Sequence, residues 1–309
     1  MNQQAIGIAI VAPGGYAPDS VALRAGVTRL EQQGFVIHNY YDDDAKYQRF
    51  GGTDAARLAQ LHAAAADPAV QVVMALRGSY GMSRLLPHID YRALADSGKL
   101  FVGYSDFTAL QMALMKETGA ISFAGPMICD DFTRAEPDSY TVQQLFDCLR
   151  GPQHQVHGAV ADEVVDNPLL DVNGRLWGGN LAMLTSLLGT PYFPTIDNGI
   201  LFIEDVGEHP YRIERMLLQL LYAGVFDTQR ALVLGEFTAY KAGAFDNGYD
   251  FAAMLAYLRE RLPLPVLTGL PFGHVKRRAT LPFGGMARLE SQARAFALTI
   301  SDYPTLPAR

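Results

Sequence analysis

Nearly continuous apolar runs alternate with helix-like segments through the first third of the chain. Such runs are typical of strands buried on both sides of a sheet. They predict strands at residues 6–11, 35–38, 70–76 and 100–102. A helix is predicted at 20–33, with Ser20 as N-cap and Gly34 just beyond its end, and an alanine-rich helix at 54–66. This alternation indicates a mostly parallel sheet with helices on both faces.

The pattern changes after residue 150. Residues 151–171 are polar and weakly periodic, which predicts a passage between two domains. Beyond it, the clearest helix is 210–222, where apolar residues form one stripe. Further strands are predicted at 199–203, 232–235, 266–270, 287–289 and 297–300, and further helices at 181–188 and 251–261. We therefore predict domains over residues 1–155 and 156–309.

Composition narrows the class of protein. The 309 residues are 49% hydrophobic and 18% charged, as in ordinary folded proteins, and the net charge of −7 argues against non-specific binding to nucleic acid or to an anionic membrane. Cys129 and Cys148 form neither a metal-like pair nor a disulfide framework. No apolar run approaches the roughly 18 residues that cross a bilayer. A cytoplasmic protein is expected.

Ser105 lies where a predicted strand, 100–102, turns into a predicted helix, 107–116. Such a turn exposes a hydroxyl and points free helix N–H groups at its surroundings, as a serine nucleophile requires. The match to the G-x-S-x-G pattern is incomplete, because Phe107 replaces the second glycine. The alternative is that Ser105 only caps the helix.

Glu204 and His274 also follow predicted strands, at the side of the sheet where α/β proteins build their sites. Each alone could be an ordinary loop residue. Together with Ser105 they supply a hydroxyl nucleophile, an imidazole base and a carboxylate that orients the base. No P-loop, dinucleotide-binding or zinc pattern competes with this set, and the aspartates at 42–44 and 130–131 are interpreted as solvated turn residues.

Six segments of the chain share their order and spacing with one known family. They are Arg-Gly-Ser-Tyr-Gly at 77–81, Gly-Tyr-Ser-Asp-Phe-Thr at 103–108, Gly-Pro-Met at 125–127, Trp-Gly-Gly-Asn-Leu at 177–181, Glu-Asp at 204–205 with 208–215, and Gly-Leu-Pro-Phe-Gly-His at 269–274. These segments resemble the LD-carboxypeptidase family of serine peptidases, and the likeness runs from residue 10 nearly to the C-terminus.

The resemblance implies an α/β fold of two domains. The N-terminal domain would carry a doubly wound, mostly parallel sheet of Rossmann or flavodoxin type, and the C-terminal α/β domain a mixed sheet. The active site would lie in the cleft between them, with Ser105, Glu204 and His274 as the triad. The oxyanion hole would combine the Asp106 N–H with that of Gly78 or Ser79, two donors between which the sequence does not choose.

Ser79 departs from the family pattern, which has glycine at this position. Serine tolerates a positive φ less well than glycine does. If the loop needs that conformation, Ser79 is strained; if not, the replacement is harmless.

The resemblance also implies an activity. The enzyme would hydrolyse the bond between the L-centre of diaminopimelate and the terminal D-Ala of a peptidoglycan tetrapeptide, as a homodimer and with no metal or organic cofactor. A carboxypeptidase needs a group for the terminal carboxylate, and arginine suits it. Candidates by position are Arg77, Arg84 and Arg212, and Tyr80 and Trp177 are further candidate substrate contacts.

Two alternatives stay open at this point. Some family members cleave peptide-nucleotide antibiotics and confer immunity, and Trp177 could stack on a nucleobase or simply pack in the core. The chain could also be a non-catalytic binder of small peptides, although the intact Ser105, Glu204 and His274 argue against that.

Overall fold

Two β-sheets organise the chain in the computed structural model, which describes residues 5–161 and 165–306. The strands, in chain order, are β1 (Gly7–Val11), β2 (Val36–Asn39), β3 (Val72–Ala75), β4 (Leu100–Gly103), β5 (Ser122–Ala124), β6 (His154–Ala159), β7 (Leu170–Asn180), β8 (Gly199–Val206), β9 (Ala231–Thr238), β10 (Val266–Thr268), β11 (Leu281–Phe283), β12 (Met286–Gln292) and β13 (Ala295–Ser301).

The α-helices cover both sheets. They are α1 (Ser20–Gln32), α2 (Asp54–Ala66), α3 (Tyr91–Asp96), α4 (Thr108–Thr118), α5 (Ser139–Arg150), α6 (Leu181–Ser186), α7 (Pro210–Tyr222) and α8 (Phe251–Arg261). Asp19, not Ser20, caps α1, because its carboxylate accepts the N–H groups of Val21 and Ala22. Within the described ranges, no helix has both the length and the apolar run needed to cross a bilayer.

The first sheet has the order β11-β5-β4-β3-β1-β2, with β1 to β5 parallel and β11 antiparallel at the edge. Its parallel part follows the flavodoxin-like order 2-1-3-4-5. In such sheets ligands bind at the carboxyl ends of the strands, where the strand order reverses between β1 and β3. The Gly15 N–H donates to the Gly78 carbonyl at 2.8 Å, so the loops after β1 and β3 are joined at this point.

The second sheet is mixed, in the order β10-β9-β8-β7-β12-β13-β6. Strands β7 to β10 are parallel, and β12, β13 and β6 are antiparallel. The predicted α/β architecture of a parallel sheet and a mixed sheet is therefore confirmed. The division at residue 155 stays a prediction; β6 spans that position, and β11 from the second half pairs with the first sheet.

Part of the segment that was predicted to link the two domains is regular structure. Strand β6 and the start of β7 lie within residues 151–171, whose residues 162–164 are outside the described part. Strand β6 buries every second residue, with His154, Val156 and Gly158 facing inwards. Because two of these inward residues are a histidine and a glycine, the alternation carried little hydrophobic signal.

Candidate active site

Ser105 follows β4 and begins a short 3-10 helix, Ser105–Phe107, that leads into α4. Its backbone has a φ of +62°, which a non-glycine residue adopts only at a cost of roughly 1 kcal/mol. Neither helix N-terminus has a side-chain cap bond, so the alternative of Ser105 as a helix cap is wrong. The turn instead directs the hydroxyl toward His274.

The structure brings the three predicted residues together from both sheets. Ser105 Oγ lies 3.0 Å from His274 Nε2, and His274 Nδ1 lies 2.7 Å from Glu204 Oε2. An ionised carboxylate can only accept, so Nδ1 carries the imidazole proton and Nε2 is free to accept from the serine hydroxyl. This is the protonation pattern of a serine nucleophile with its general base.

Glu204 is fully buried on β8, which continues to Val206 past a register shift between Ile203 and Asp205. The apolar run had predicted that Glu204 follows the end of the strand. The structure shows instead that Glu204 lies within it. The Asn180 amide donates to Glu204 Oε1 at 3.1 Å and to Asp205 Oδ1 at 2.9 Å. Burial raises the pKa of Asp205 to about 6.

Asn180 contacts the Glu204 carboxylate, a role that the sequence analysis did not predict. It ends β7 and caps α6, with its side-chain oxygen accepting the Met183 N–H. One side chain thus caps a helix and orients the carboxylate that contacts the imidazole. The available signal was the Trp-Gly-Gly-Asn-Leu segment, in which two glycines bring an asparagine to the strand end.

His274 is held by close packing of its loop. Gly273 has a φ of +142°, and a Cβ there would lie 2.9 Å from the Glu236 carbonyl oxygen and 3.2 Å from the Glu204 Cβ. Only glycine leaves room for this approach. The Tyr104 ring packs edge-on against the imidazole at 5.0 Å between centroids, and burial raises the pKa of the Tyr104 phenol, which stays neutral.

Gly78 faces the serine from the loop after β3. A Cβ at this position would lie 2.8 Å from the Ser105 Cβ and 2.9 Å from its Oγ. Among the described residues, the N–H groups of Gly78, Ser79 and Asp106 donate no hydrogen bond to a protein acceptor. Free N–H groups beside a nucleophile are what an oxyanion requires, although the assignment of the donors stays a prediction.

Ser79, which stands where the family pattern has glycine, adopts the strained backbone conformation with positive φ. Its φ is +67°, in the left-handed region. The Arg49 guanidinium donates to Ser79 Oγ at 3.0 Å. The serine thus makes a contact that glycine could not, which partly offsets a conformational cost of roughly 1 kcal/mol.

Replacing Gly78 by alanine should reduce kcat at least ~100-fold, because the added methyl group would displace Ser105 or the loop that presents the N–H donors. Steady-state kinetics on the tetrapeptide measures the loss. Gly243→Ala is the matched control, since a Cβ there meets only the Asp246 carboxylate at 3.6 Å. Activity close to wild type in Gly78→Ala would contradict the contact between Gly78 and the reacting atoms.

The Asp106 carboxyl group is buried beneath the same loop. Its Oδ2 accepts the Met82 N–H at 2.8 Å, whereas its Oδ1 is buried without a hydrogen-bond partner. Burial raises the pKa of Asp106 to about 7. The carboxyl group therefore holds the loop after β3 and takes up a proton far more readily than an exposed aspartate.

Asp106 should make stability fall as pH rises from about 4 to 7. Over that range the unfolded chain has lost the proton that the folded chain keeps, so raising the pH favours unfolding. The decline relative to Asp106→Asn should reach a few kcal/mol, since one pKa unit is about 1.4 kcal/mol. Urea unfolding of both proteins at several pH values measures it, and parallel curves would contradict the raised pKa.

The predicted substrate contacts divide into two groups. Arg77, Tyr80 and Arg84 lie on or just after the loop that follows β3; Tyr80 is 45% exposed, and Arg84 lies 3.6 Å from Asp54. Arg212 lies on α7 and pairs with Glu208, 2.6 Å away and just before that helix. The roles of these residues stay predictions.

Trp177 lies on β7 and is buried. It is 1% exposed, its indole N–H donates to Gln229 at 2.8 Å, and its ring packs against Phe193. It pairs with Leu201 near the start of β8, whereas Glu204 lies near the end of that strand. The indole therefore belongs to the core, which argues against a contact with substrate, and the substrate role of Trp177 stays a prediction.

Comparison with solved structures places this architecture among known enzymes. The chain is 51% identical to the muramoyltetrapeptide carboxypeptidase of Oxalobacter formigenes, whose crystal structure superposes with a TM-score of 0.91 and covers 97% of this chain and 100% of that one. A probable murein peptide carboxypeptidase of Bacillus subtilis is 29% identical over 92% of this chain and 88% of its own length. The microcin C7 self-immunity protein of Escherichia coli is 28% identical over 89% and 87%.

Sequence models of one family match both halves of the chain. The LD-carboxypeptidase N-terminal domain matches residues 8–125, and the LD-carboxypeptidase C-terminal domain matches residues 173–289. The first range contains Ser105 and the second contains Glu204 and His274. The protein belongs to the LD-carboxypeptidase family of serine peptidases.

Proposed function

We propose that this protein is a muramoyltetrapeptide carboxypeptidase, which removes the terminal D-Ala from peptidoglycan-derived tetrapeptides at the L-centre of diaminopimelate. The observation that carries the proposal is the continuous hydrogen-bonded chain from Ser105 through His274 to Glu204. The 51% identity to a muramoyltetrapeptide carboxypeptidase over nearly the whole chain supports the substrate class.

In the acylation step, Ser105 Oγ attacks the carbonyl carbon of diaminopimelate while His274 Nε2 takes the hydroxyl proton. Glu204 accepts the hydrogen bond from Nδ1–H and stabilises the imidazolium that forms. The carbonyl oxygen becomes an oxyanion, for which the N–H of Asp106 and that of Gly78 or Ser79 are the proposed donors.

Collapse of the tetrahedral intermediate breaks the peptide bond. His274 gives its proton to the departing amine, and D-Ala leaves with the serine esterified to the tripeptide. A water molecule then attacks the ester as His274 takes its proton, and the tripeptide is released with Ser105 restored.

Arg77 is the proposed partner of the terminal carboxylate. Among the described residues its guanidinium has no hydrogen-bond or ion-pair partner, whereas Arg84 lies 3.6 Å from Asp54 and Arg212 lies 2.6 Å from Glu208. Arg77 lies on the loop just after β3, one residue before Gly78. A guanidinium there can bind the substrate carboxylate without first breaking an ion pair with a protein carboxylate.

Cleavage of a peptide-nucleotide antibiotic is the second candidate activity. Similarity to the microcin C7 self-immunity protein favours it, but at 28% identity it is weaker than the similarity to the Oxalobacter enzyme. The burial of Trp177 also argues against its stacking on a nucleobase. The third candidate, a non-catalytic peptide binder, gives no reason for an aligned serine, imidazole and carboxylate.

Mass spectrometry of the purified protein with three peptides distinguishes these candidates. We expect the tetrapeptide to lose one D-Ala, while a tetrapeptide ending in L-Ala and a peptidyl nucleotide stay intact. Cleavage of the peptidyl nucleotide alone would replace the murein assignment by the immunity activity. No cleavage of any of the three peptides would favour a binding protein.

A cytoplasmic location and a homodimer complete the proposal. Cys129 and Cys148 are buried free thiols, and unpaired cysteines are typical of a reducing compartment. Light scattering on the purified protein tests the homodimer, which a monomeric mass would contradict.

A further inference from the structure

His274 and Ser105 are carried by different halves of the chain, and their alignment needs an explanation. The serine follows a strand of the first sheet, and the histidine lies on the loop between β10 and β11. The backbone of that loop accepts hydrogen bonds from the buried side chain of Arg278, which is 1% exposed.

Arg278 holds the two carbonyl groups on either side of His274. Its Nε donates to the Gly273 carbonyl at 2.7 Å, and its Nη2 donates to the Val275 carbonyl at 2.9 Å. The backbone before and after the histidine is therefore attached to one planar group. Rotation of the loop about the imidazole would break at least one of these bonds.

The rest of the guanidinium is attached to the N-terminal half. Its Nη1 donates to both carboxylate oxygens of Asp131, at 2.6 and 2.5 Å, and its Nη2 donates to the Tyr104 hydroxyl at 2.9 Å. The guanidinium carbon also lies 3.8 Å from the centre of the Tyr104 ring. All five N–H donors of Arg278 are thus used, and Tyr104 is the residue that precedes Ser105.

A second contact joins the same loop to α5. The Thr141 hydroxyl accepts a hydrogen bond from the Arg278 backbone N–H at 2.8 Å and donates one to the Lys276 carbonyl at 3.0 Å. The histidine loop is therefore fixed against elements of the N-terminal half by side chain and backbone alike. Through the Tyr104 hydroxyl, its position is also tied to the segment that presents the serine.

We propose that Arg278, paired with Asp131, is a positioning residue that aligns the His274 imidazole with Ser105 Oγ across the two halves of the chain. The inference rests on the proposed role of His274 as the general base. A buried ion pair adds little stability compared with well-packed apolar residues, so stability alone does not explain this one. Its donors are directed at the two peptide groups that set the orientation of the base.

Two variants test this role. Arg278→Lys keeps the positive charge beside Asp131, but its single nitrogen cannot reach both loop carbonyls and the Tyr104 hydroxyl. The double variant Arg278→Met with Asp131→Leu removes both charges, so no unpaired charge is left buried. Arg277→Met is the matched control, because Arg277 is exposed and lies over the Tyr140 ring, 3.9 Å from its centre.

We expect both test variants to fold and to keep KM for the tetrapeptide within about twofold of wild type, while kcat falls roughly 10- to 100-fold. A slightly misplaced base weakens the transition state and leaves substrate binding intact. Arg277→Met should keep its kcat. In protein labelled with ¹⁵N-histidine, the Nδ1–H resonance of His274 should be sharp in wild type and broadened in Arg278→Lys.

A kcat within about twofold of wild type in folded Arg278→Lys and in the folded double variant would overturn the proposal. An unchanged His274 resonance together with a rise in KM would also overturn it, since the effect would then lie in substrate binding. Failure of the proposed function is a separate result. It would appear as no release of D-Ala from the tetrapeptide by wild type, and failure of the general-base role of His274 would appear as full activity in His274→Ala, whatever the Arg278 variants do.

Discussion

Ser105→Ala is expected to release D-Ala from the tetrapeptide at least ~10⁴-fold more slowly than wild type, with nearly unchanged substrate affinity. The methyl group cannot form the acyl-enzyme, and the oxyanion donors and bound substrate alone support only slow attack by water. The fold should be retained, because Ser105 Oγ contacts His274 and caps no helix. Losing a hydroxyl there removes no bond that supports the backbone.

The measurement is D-Ala release followed by mass spectrometry, with calorimetric titration of the tetrapeptide into the variant. Ser186→Ala is the matched control, because Ser186 is exposed and its hydroxyl donates only to the Met183 carbonyl on α6. Equal rates of D-Ala release for wild type and Ser105→Ala would contradict the serine mechanism. Loss of affinity in step with loss of rate would show a binding defect instead.

Glu204→Gln should reduce kcat by about 10⁴-fold, because it imposes the wrong imidazole tautomer. The Asn180 amide donates to Oε1 at 3.1 Å, so the glutamine oxygen would stay on that side and its NH₂ would face His274 Nδ1. Nδ1 would then have to accept, and the proton would move to Nε2. An Nε2 that carries a proton cannot take one from Ser105.

The loss in Glu204→Gln should be confined to chemistry. Glutamine has nearly the same shape as glutamate and keeps the bond from Asn180, so thermal unfolding should resemble that of wild type. Glu208→Gln is the control for loss of a nearby carboxylate, since Glu208 lies just before α7 and pairs with Arg212 rather than with a residue of the triad. A kcat within about tenfold of wild type in a folded Glu204→Gln would contradict its role in orienting the base.

Three of the helices were predicted to the residue. Those at 54–66, 210–222 and 251–261 match α2, α7 and α8. Each begins after a side-chain cap, from Thr53, His209 and Asp250, and in α7 the predicted apolar stripe buries Ile213, Leu217 and Leu220. These signals lie within a few residues of one another, so the local sequence was enough to place these helices.

Strands were predicted less well, because their pairing is not local. The prediction missed β6, whose inward residues include His154 and Gly158, and ended β8 before Glu204. Strand β6 is completed by β13, which lies more than a hundred residues further along the chain. A polar strand becomes recognisable only when the partner that satisfies its backbone is known.

The α/β class, the family likeness and the residues Ser105, Glu204 and His274 follow from the amino-acid sequence, because periodicity and motifs are carried by residues close together in the chain. The folded structure alone shows that these side chains meet, that Trp177 belongs to the core, and that Asn180 and Arg278 hold the carboxylate and the histidine loop. Ser105 and His274 are separated by 169 positions, and a 3.0 Å contact between them depends on the packing of two sheets, which no local pattern encodes.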